Sequence, residues 1–177
     1  MKFNYEIPKL DKDIYRYSIY IGVAILISIL EFTTINLIEI EGIKPDILLI
    51  FCVWISLKEG RFKGTIFGFA NGLILDFISM TVMGTNAFAK TVASFFAGTF
   101  HQEGKENILL KSINFLVILF ITSVIHNTIY YFFYINVIEE EFIDFLTTYG
   151  IASSIYTTVL GTIPMLWVNK KFGYLKD

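Results

Sequence analysis

Residues 113–136 read INFLVILFITSVIHNTIYYFFYIN, a run without one Asp, Glu, Lys or Arg. The hydrocarbon core of a bilayer holds no water, so a segment that crosses it must satisfy its own backbone hydrogen bonds. A helix of about 20 apolar residues does this. Long unbroken runs, rather than ten-residue stretches of alternating polarity, point away from a membrane barrel. Working outward, five further runs can be marked: Tyr17 to Leu37, Asp46 to Leu57, Gly64 to Met80, Thr85 to Phe100, and Thr147 to Val168. The second is short. It spans only if Lys58 and Arg61 extend their charged ends to the interface and the helix continues toward Phe62, or if the bilayer thins there. The expected fold is an all-α integral membrane protein, a compact bundle of six transmembrane helices forming one domain over residues 1–177.

Composition supports a membrane setting. The chain has 177 residues, 55% of them hydrophobic and 17% charged, with a mean hydropathy of +0.63. That is more apolar than a soluble domain of this length can bury. It excludes disorder and a disulfide scaffold, and the formal net charge of -2 gives no reason to expect a nucleic-acid partner. Cys52 stands alone and cannot close a disulfide within the chain.

Basic residues set the expected orientation, because loops on the cytoplasmic side retain Lys and Arg. With the N-terminus inside, that side carries Lys2, Lys9, Lys12 and Arg16, then Lys58, Arg61 and Lys63, then Lys105 and Lys111, then Lys170, Lys171 and Lys176. The other side has Lys44 alone, and Lys90 lies within a helix. Both termini are therefore expected in the cytoplasm. Tyr17, Tyr20, Trp54, Tyr130, Tyr131, Tyr134 and Trp167 fall near helix ends, where aromatic residues favour the interface. The N-terminal stretch mixes acids with its bases and lacks a small-residue cleavage pattern, so a removable signal peptide is not expected. The connections leave no room for a soluble domain.

In lipid, small residues at four-residue spacing let helix backbones approach closely. Gly60, Gly64, Gly68 and Gly72 form such a series, continued in register by Asp76, and the fourth helix answers with Ala89, Ala93 and Ala97. The third helix is therefore expected at the centre of the bundle. The ridge serves either general packing or a dedicated partner-docking face.

Charges within the membrane are costly and usually face the bundle interior. Glu31, Asp76 and Lys90, with Asn86 beside them, are expected at one level in the outer part of the membrane. Lys90 is expected to pair with Asp76, or with Glu31 if the first and fourth helices are neighbours. The cluster either locks the bundle, forms a solute or ion site open to the outside, or contacts a partner. His126 and Asn127, mid-helix, read as interhelical hydrogen-bonding groups. The other histidine, His101, lies in a cytoplasmic loop, so no zinc or other metal site is expected. Glu139, Glu140, Glu141 and Asp144 make an acidic external loop, and Pro164 is expected to kink the last helix. No arrangement of nucleophile, base and orienting group, and no phosphate-binding glycine loop, points to an enzyme. No cofactor is implied.

The order Pro45-Asp46, Glu59-Gly60, Gly64, Gly68, Gly72-Leu73, Asp76, Ser79, Gly84-Thr85-Asn86-Ala87 and Gly98 resembles the bacterial rod shape-determining protein MreD family. Lys90 is not part of that pattern. The resemblance implies a noncatalytic subunit of the cytoplasmic (inner) membrane, belonging to the rod complex, or elongasome, that directs peptidoglycan synthesis along the cell cylinder. It implies MreC as the direct partner, through its transmembrane helix and juxtamembrane region. MreB, RodA and a class B penicillin-binding protein would follow directly or through MreC. The family is also similar in fold to the substrate-binding subunits of energy-coupling-factor transporters, which leaves a vitamin-binding transporter subunit as the alternative function.

Overall fold

A computed structural model describes residues 9–80, 82–138 and 142–173. Glu139, Glu140, Glu141, Lys2 and Lys176 lie outside the described residues, as do the side chains of Lys9, Lys12, Tyr134, Lys170 and Lys171. The chain forms α1 (Lys9–Ile38), α2 (Ile47–Glu59), α3 (Arg61–Ser79), α4 (Thr85–Gly98), the short α5 (Glu106–Lys111) and α6 (Ile113–Ile138). A last rod follows, made of α7 (Phe142–Phe145), a π-helical turn over Leu146–Gly150, α8 (Ile151–Leu160) and α9 (Thr162–Gly173). Among the described residues there is no strand, only a bridge between Ile40 and Ile43 in the turn after α1.

Sequence pattern explains which helix lies inside. The run from Ile47 to Leu57 has no polar face, and a helix apolar all round belongs in a core. Accordingly α2 is buried on every side, from Leu48, Leu49 and Ile50 to Ser56 and Leu57. The helices α1, α3, α4, α6 and α8 are arranged around it, each touching α2 and, along most of the series, its neighbour. This corrects the expectation that the third helix is central: α3 buries one stripe, Gly64, Gly68, Asn71, Gly72, Leu75 and Asp76, and exposes Phe62, Ile66, Phe69 and Phe77. Small residues bring a backbone close to one neighbour; they do not surround a helix.

Among the described residues, three segments are long and apolar enough to cross a membrane: Asp13–Thr33, Ile113–Phe133 and Phe142–Val168. By length and composition, the six expected spans are thus met in three. With 13 residues, α2 is about 20 Å long, against a hydrocarbon core of about 30 Å. It does not continue toward Phe62. Gly60, at φ +90°, ends α2 and starts α3 in a single residue, donating its N–H to the Ser56 carbonyl at 3.0 Å and accepting from Gly64 N–H at 2.9 Å. A side chain there would be strained, and its Cβ would come within 3.3 Å of the His101 ring. The short length of α2 is tolerated because protein, not lipid, surrounds both its ends.

The basic turns gather at one end of the bundle. Arg16 reaches Glu59 at 3.2 Å, and Lys63 reaches the same carboxylate at 3.8 Å. Tyr20 donates its hydroxyl to Glu59 at 3.0 Å, and Lys58 Nζ lies 4.5 Å from the Trp54 ring centroid. Lys58 thus covers an aromatic face at the helix end while Arg61 belongs to α3, where it sits over Phe95. At this end His101 also donates Nδ1–H to the Leu57 carbonyl at 2.8 Å, closing a free acceptor at the end of α2. The break between α8 and α9 falls at Gly161. Pro164, which lacks the N–H that would have bonded to Leu160, accounts for it.

Candidate functional site

At the end opposite the basic turns, the start of α2 does not reach the edge of the bundle. Its first amides are therefore buried donors that need acceptors. Asp46 supplies one, accepting from Leu49 N–H at 2.6 Å in the usual N-cap geometry. Glu31, reaching across from α1, supplies the other by accepting from Leu48 N–H at 2.9 Å. The segment before the cap is fixed from α8: Ser153 donates to the Lys44 carbonyl at 2.6 Å, and the Asp46 N–H donates to Thr157 Oγ1 at 2.9 Å.

Lys90, entirely buried on α4, forms its ion pair with the free oxygen of Asp46. This corrects the expected partners: neither Asp76 nor Glu31 makes the ion pair with Lys90. Lys90 Nζ also lies 3.3 Å from His126 Nε2. An ammonium offers only protons, so that imidazole nitrogen carries the lone pair and Nδ1 carries the hydrogen, donated to Asn127 Oδ1 at 3.3 Å. Asn127 then donates from its amide to the Gly150 carbonyl and to Ser154 Oγ, each at 2.9 Å. One connected network runs from α2 through α4 and α6 to α8. His126 and Asn127 do form interhelical hydrogen bonds, and among the described residues no three His, Cys, Asp or Glu side chains are grouped to hold a metal ion.

Asp76 has a different task. Its carboxylate accepts from the backbone N–H groups of Gly84 (2.9 Å), Asn86 (3.1 Å) and Ala87 (3.1 Å), and from the Asn86 side-chain amide (2.9 Å). The last turn of α3 thereby caps the first turn of α4, with Gly84 at φ +97° turning the chain between them. An acid at a helix start also meets the positive end of the helix dipole. Asp76→Ala is expected to lower stability by about 3 kcal/mol, since it removes a charged acceptor shared by four donors. Denaturation of the detergent-solubilised variant measures this, and a midpoint equal to that of the wild type would refute it.

The polar residues border a cleft of about 700 Å³. Glu31, Asp46 and Asn86 line it together with His126, Asn127, Pro45 and Ser79, and Tyr130, Tyr131, Phe145 and Tyr149 form an aromatic side. Of the residues singled out from sequence, Glu31, Asn86, Pro45, Asp46 and Ser79 thus meet at one place, while Asp76 and Gly84 hold the adjoining turn. Sequence reading assigns Pro45 and Asp46 to the entrance of the second helix, where the carboxylate can cap exposed amides, and misses Asp46 as the counter-ion of Lys90. The available signal was depth: Asp46 opens its helix at the same end as Lys90. Glu59, nearly buried at the basic end, was also missed as an ion-pair centre.

The small-residue series divides between two neighbours, as a four-residue step on a 3.6-residue helix requires. A Cβ on Gly64 would meet Ser56 of α2, whereas those on Gly68 and Gly72 would meet α4, at the Lys90 carbonyl and at Ala87 Cα. Ala89, Ala93 and Ala97 are fully buried on α4.

No curated protein and no solved structure matches the chain. The family model described as rod shape-determining protein MreD matches residues 12–173, which include every residue of the cleft and of both capped helix starts. With that coverage, the chain belongs to the MreD family of proteins that determine rod cell shape.

Proposed function

We propose that this chain is a noncatalytic scaffold subunit of the cell-wall elongation complex, crossing the bacterial cytoplasmic membrane six times with both termini inside. In this role it binds MreC through that protein's transmembrane helix and juxtamembrane segment, and through it serves MreB, RodA and a class B penicillin-binding protein. The family match over residues 12–173 carries the reading. The chemistry of the buried charges agrees with it: Asp46, Asp76 and Lys90 hold helix starts and one ion pair, which makes a bundle stiff enough to present a fixed surface. Clustering of the basic turns at one end favours the stated orientation. Among the three long apolar segments, that of α1 is the least covered, with 17% of its most apolar stretch buried, so it offers a bare apolar face to lipid or to a partner helix.

Coexpression with the MreC of the same organism, followed by detergent purification, tests the reading. MreC is expected to copurify in fixed ratio; recovery of the two proteins separately, each folded, would refute it. A vitamin-binding transporter subunit remains the second reading, on the single observation of the cleft. Stoichiometric vitamin binding by the purified chain would favour it.

A further inference from the structure

With Glu31 ionised, the charges at the cleft do not balance. Asp46 is matched by Lys90, and Lys44, on the rim, is matched by Glu39 at 3.0 Å. His126 is neutral in the hydrogen-bonded arrangement derived above, because its Nε2 faces the Lys90 ammonium. Among the described residues Glu31 makes no ion pair, and the nearby Lys90 is held by Asp46. One of its oxygens accepts from Leu48 N–H, and the other makes no hydrogen bond among the described residues. The residue is 9% exposed and lines the cleft. The start of α2 contributes about half a positive charge, which reduces the excess without cancelling it.

Size and wall chemistry narrow what would supply the missing charge. A cleft of about 700 Å³ far exceeds a bare ion and lies within the range of small-molecule sites. The same cleft is lined by packed rings: Tyr130 lies parallel to His126 at 6.0 Å, Tyr131 meets Phe145 at 5.0 Å, and Phe145 meets Tyr149 at 4.6 Å. Aromatic faces attract organic cations, most strongly where water is partly excluded.

We propose that this cleft binds an organic cation, an ammonium or guanidinium carried on an apolar body, with Glu31 as its counter-ion and the Tyr130–Tyr149 rings against its body. Such a group can come from a free amine or from a basic side chain of a peptide. The assignment is independent of the partner reading above, since it rests on the cleft alone.

The test uses the full chain in lipid nanodiscs and titrates phenethylammonium against its neutral counterpart 2-phenylethanol, followed by calorimetry. The ammonium is expected to bind roughly tenfold or more tightly than the alcohol. Glu31→Gln, which keeps an acceptor for Leu48 N–H, should abolish that preference, and Tyr149→Leu should weaken ammonium binding several-fold with Glu31 intact. Competition by N-acetylargininamide would support the proposal with a peptide as the source, and binding of phenethylammonium without such competition would support it with a free amine. Equal affinity for ammonium and alcohol, a preference that survives Glu31→Gln, or no saturable binding would each overturn it. Unchanged helical circular dichroism and monodisperse elution qualify each variant. If Glu31→Gln does not fold, the wild-type comparison and Tyr149→Leu decide the matter.

Discussion

Lys90→Met is expected to cost about 3–5 kcal/mol, a large part of the 5–15 kcal/mol that holds a typical domain folded. Methionine fits the volume of the buried stem but leaves Asp46 without its cation, with Glu31 close by at the same helix start. It also removes the donor that faces His126 Nε2. The damage comes from the orphaned carboxylate more than from the loss of attraction, because a buried pair gains little net energy over a well-packed apolar replacement. Removing both charges separates the two effects. In Lys90→Met/Asp46→Asn the asparagine oxygen can still accept from Leu49 N–H, so the double variant is expected to recover most of the loss. Thermal unfolding in detergent, with monodispersity as the criterion for the folded state, measures all three proteins. A single variant within about 1 kcal/mol of the wild type, or a double variant as weak as the single, would refute this account.

The mismatch between expected and observed partners of Lys90 shows what a single sequence reveals about a membrane bundle. Depth along a helix follows from residue spacing, which is why Glu31, Asp76, Asn86 and Lys90 are expected at one level. Order around the bundle does not follow from spacing, because any of several helices can present a carboxylate at the same depth. What decided the pairing was the burial of α2. A short helix enclosed by others begins inside protein, so its first amides require acceptors there, and Asp46 and Glu31 are recruited as caps. Asp76 is drawn to the start of α4 for the same reason. Glu31 and Asp76 read from sequence as partners of a cation, and both serve instead as acceptors at helix starts. The α2 run reads as apolar throughout and short for a span, and both features are signs of a central helix. Boundaries were legible where residues with strong local preferences stand, as at Gly84 before α4. They were obscure where the helix continued through a change of hydrogen bonding, as over Leu146–Gly150.

Gly72→Leu is expected to prevent stable folding, and Gly68→Leu to do nearly the same. An added Cβ at Gly72 would lie 2.5 Å from both Ala87 Cα and the Asn86 carbonyl oxygen, and one at Gly68 would lie 2.6 Å from the Lys90 carbonyl oxygen. These are backbone atoms of α4, which cannot rotate aside as a side-chain end could, so relief requires α3 and α4 to separate. Overpacking a core usually costs about 1–3 kcal/mol, but separation here adds a second loss. Moving α4 away from α3 pulls the amides of Gly84, Asn86 and Ala87 from Asp76, and displacing Lys90 strains its contact with Asp46. Close approach, helix capping and charge pairing are therefore one coupled unit, and even Gly72→Ala should be severely destabilised. Gly22 provides the folding control: nothing lies within 4 Å of a Cβ built there, so Gly22→Leu should fold as the wild type does. Folding yield in detergent and copurification of MreC serve as paired measurements. Wild-type behaviour of both Gly68→Leu and Gly72→Leu in the two assays would show that α3 and α4 are not held at the distance on which the ion pair and the caps depend.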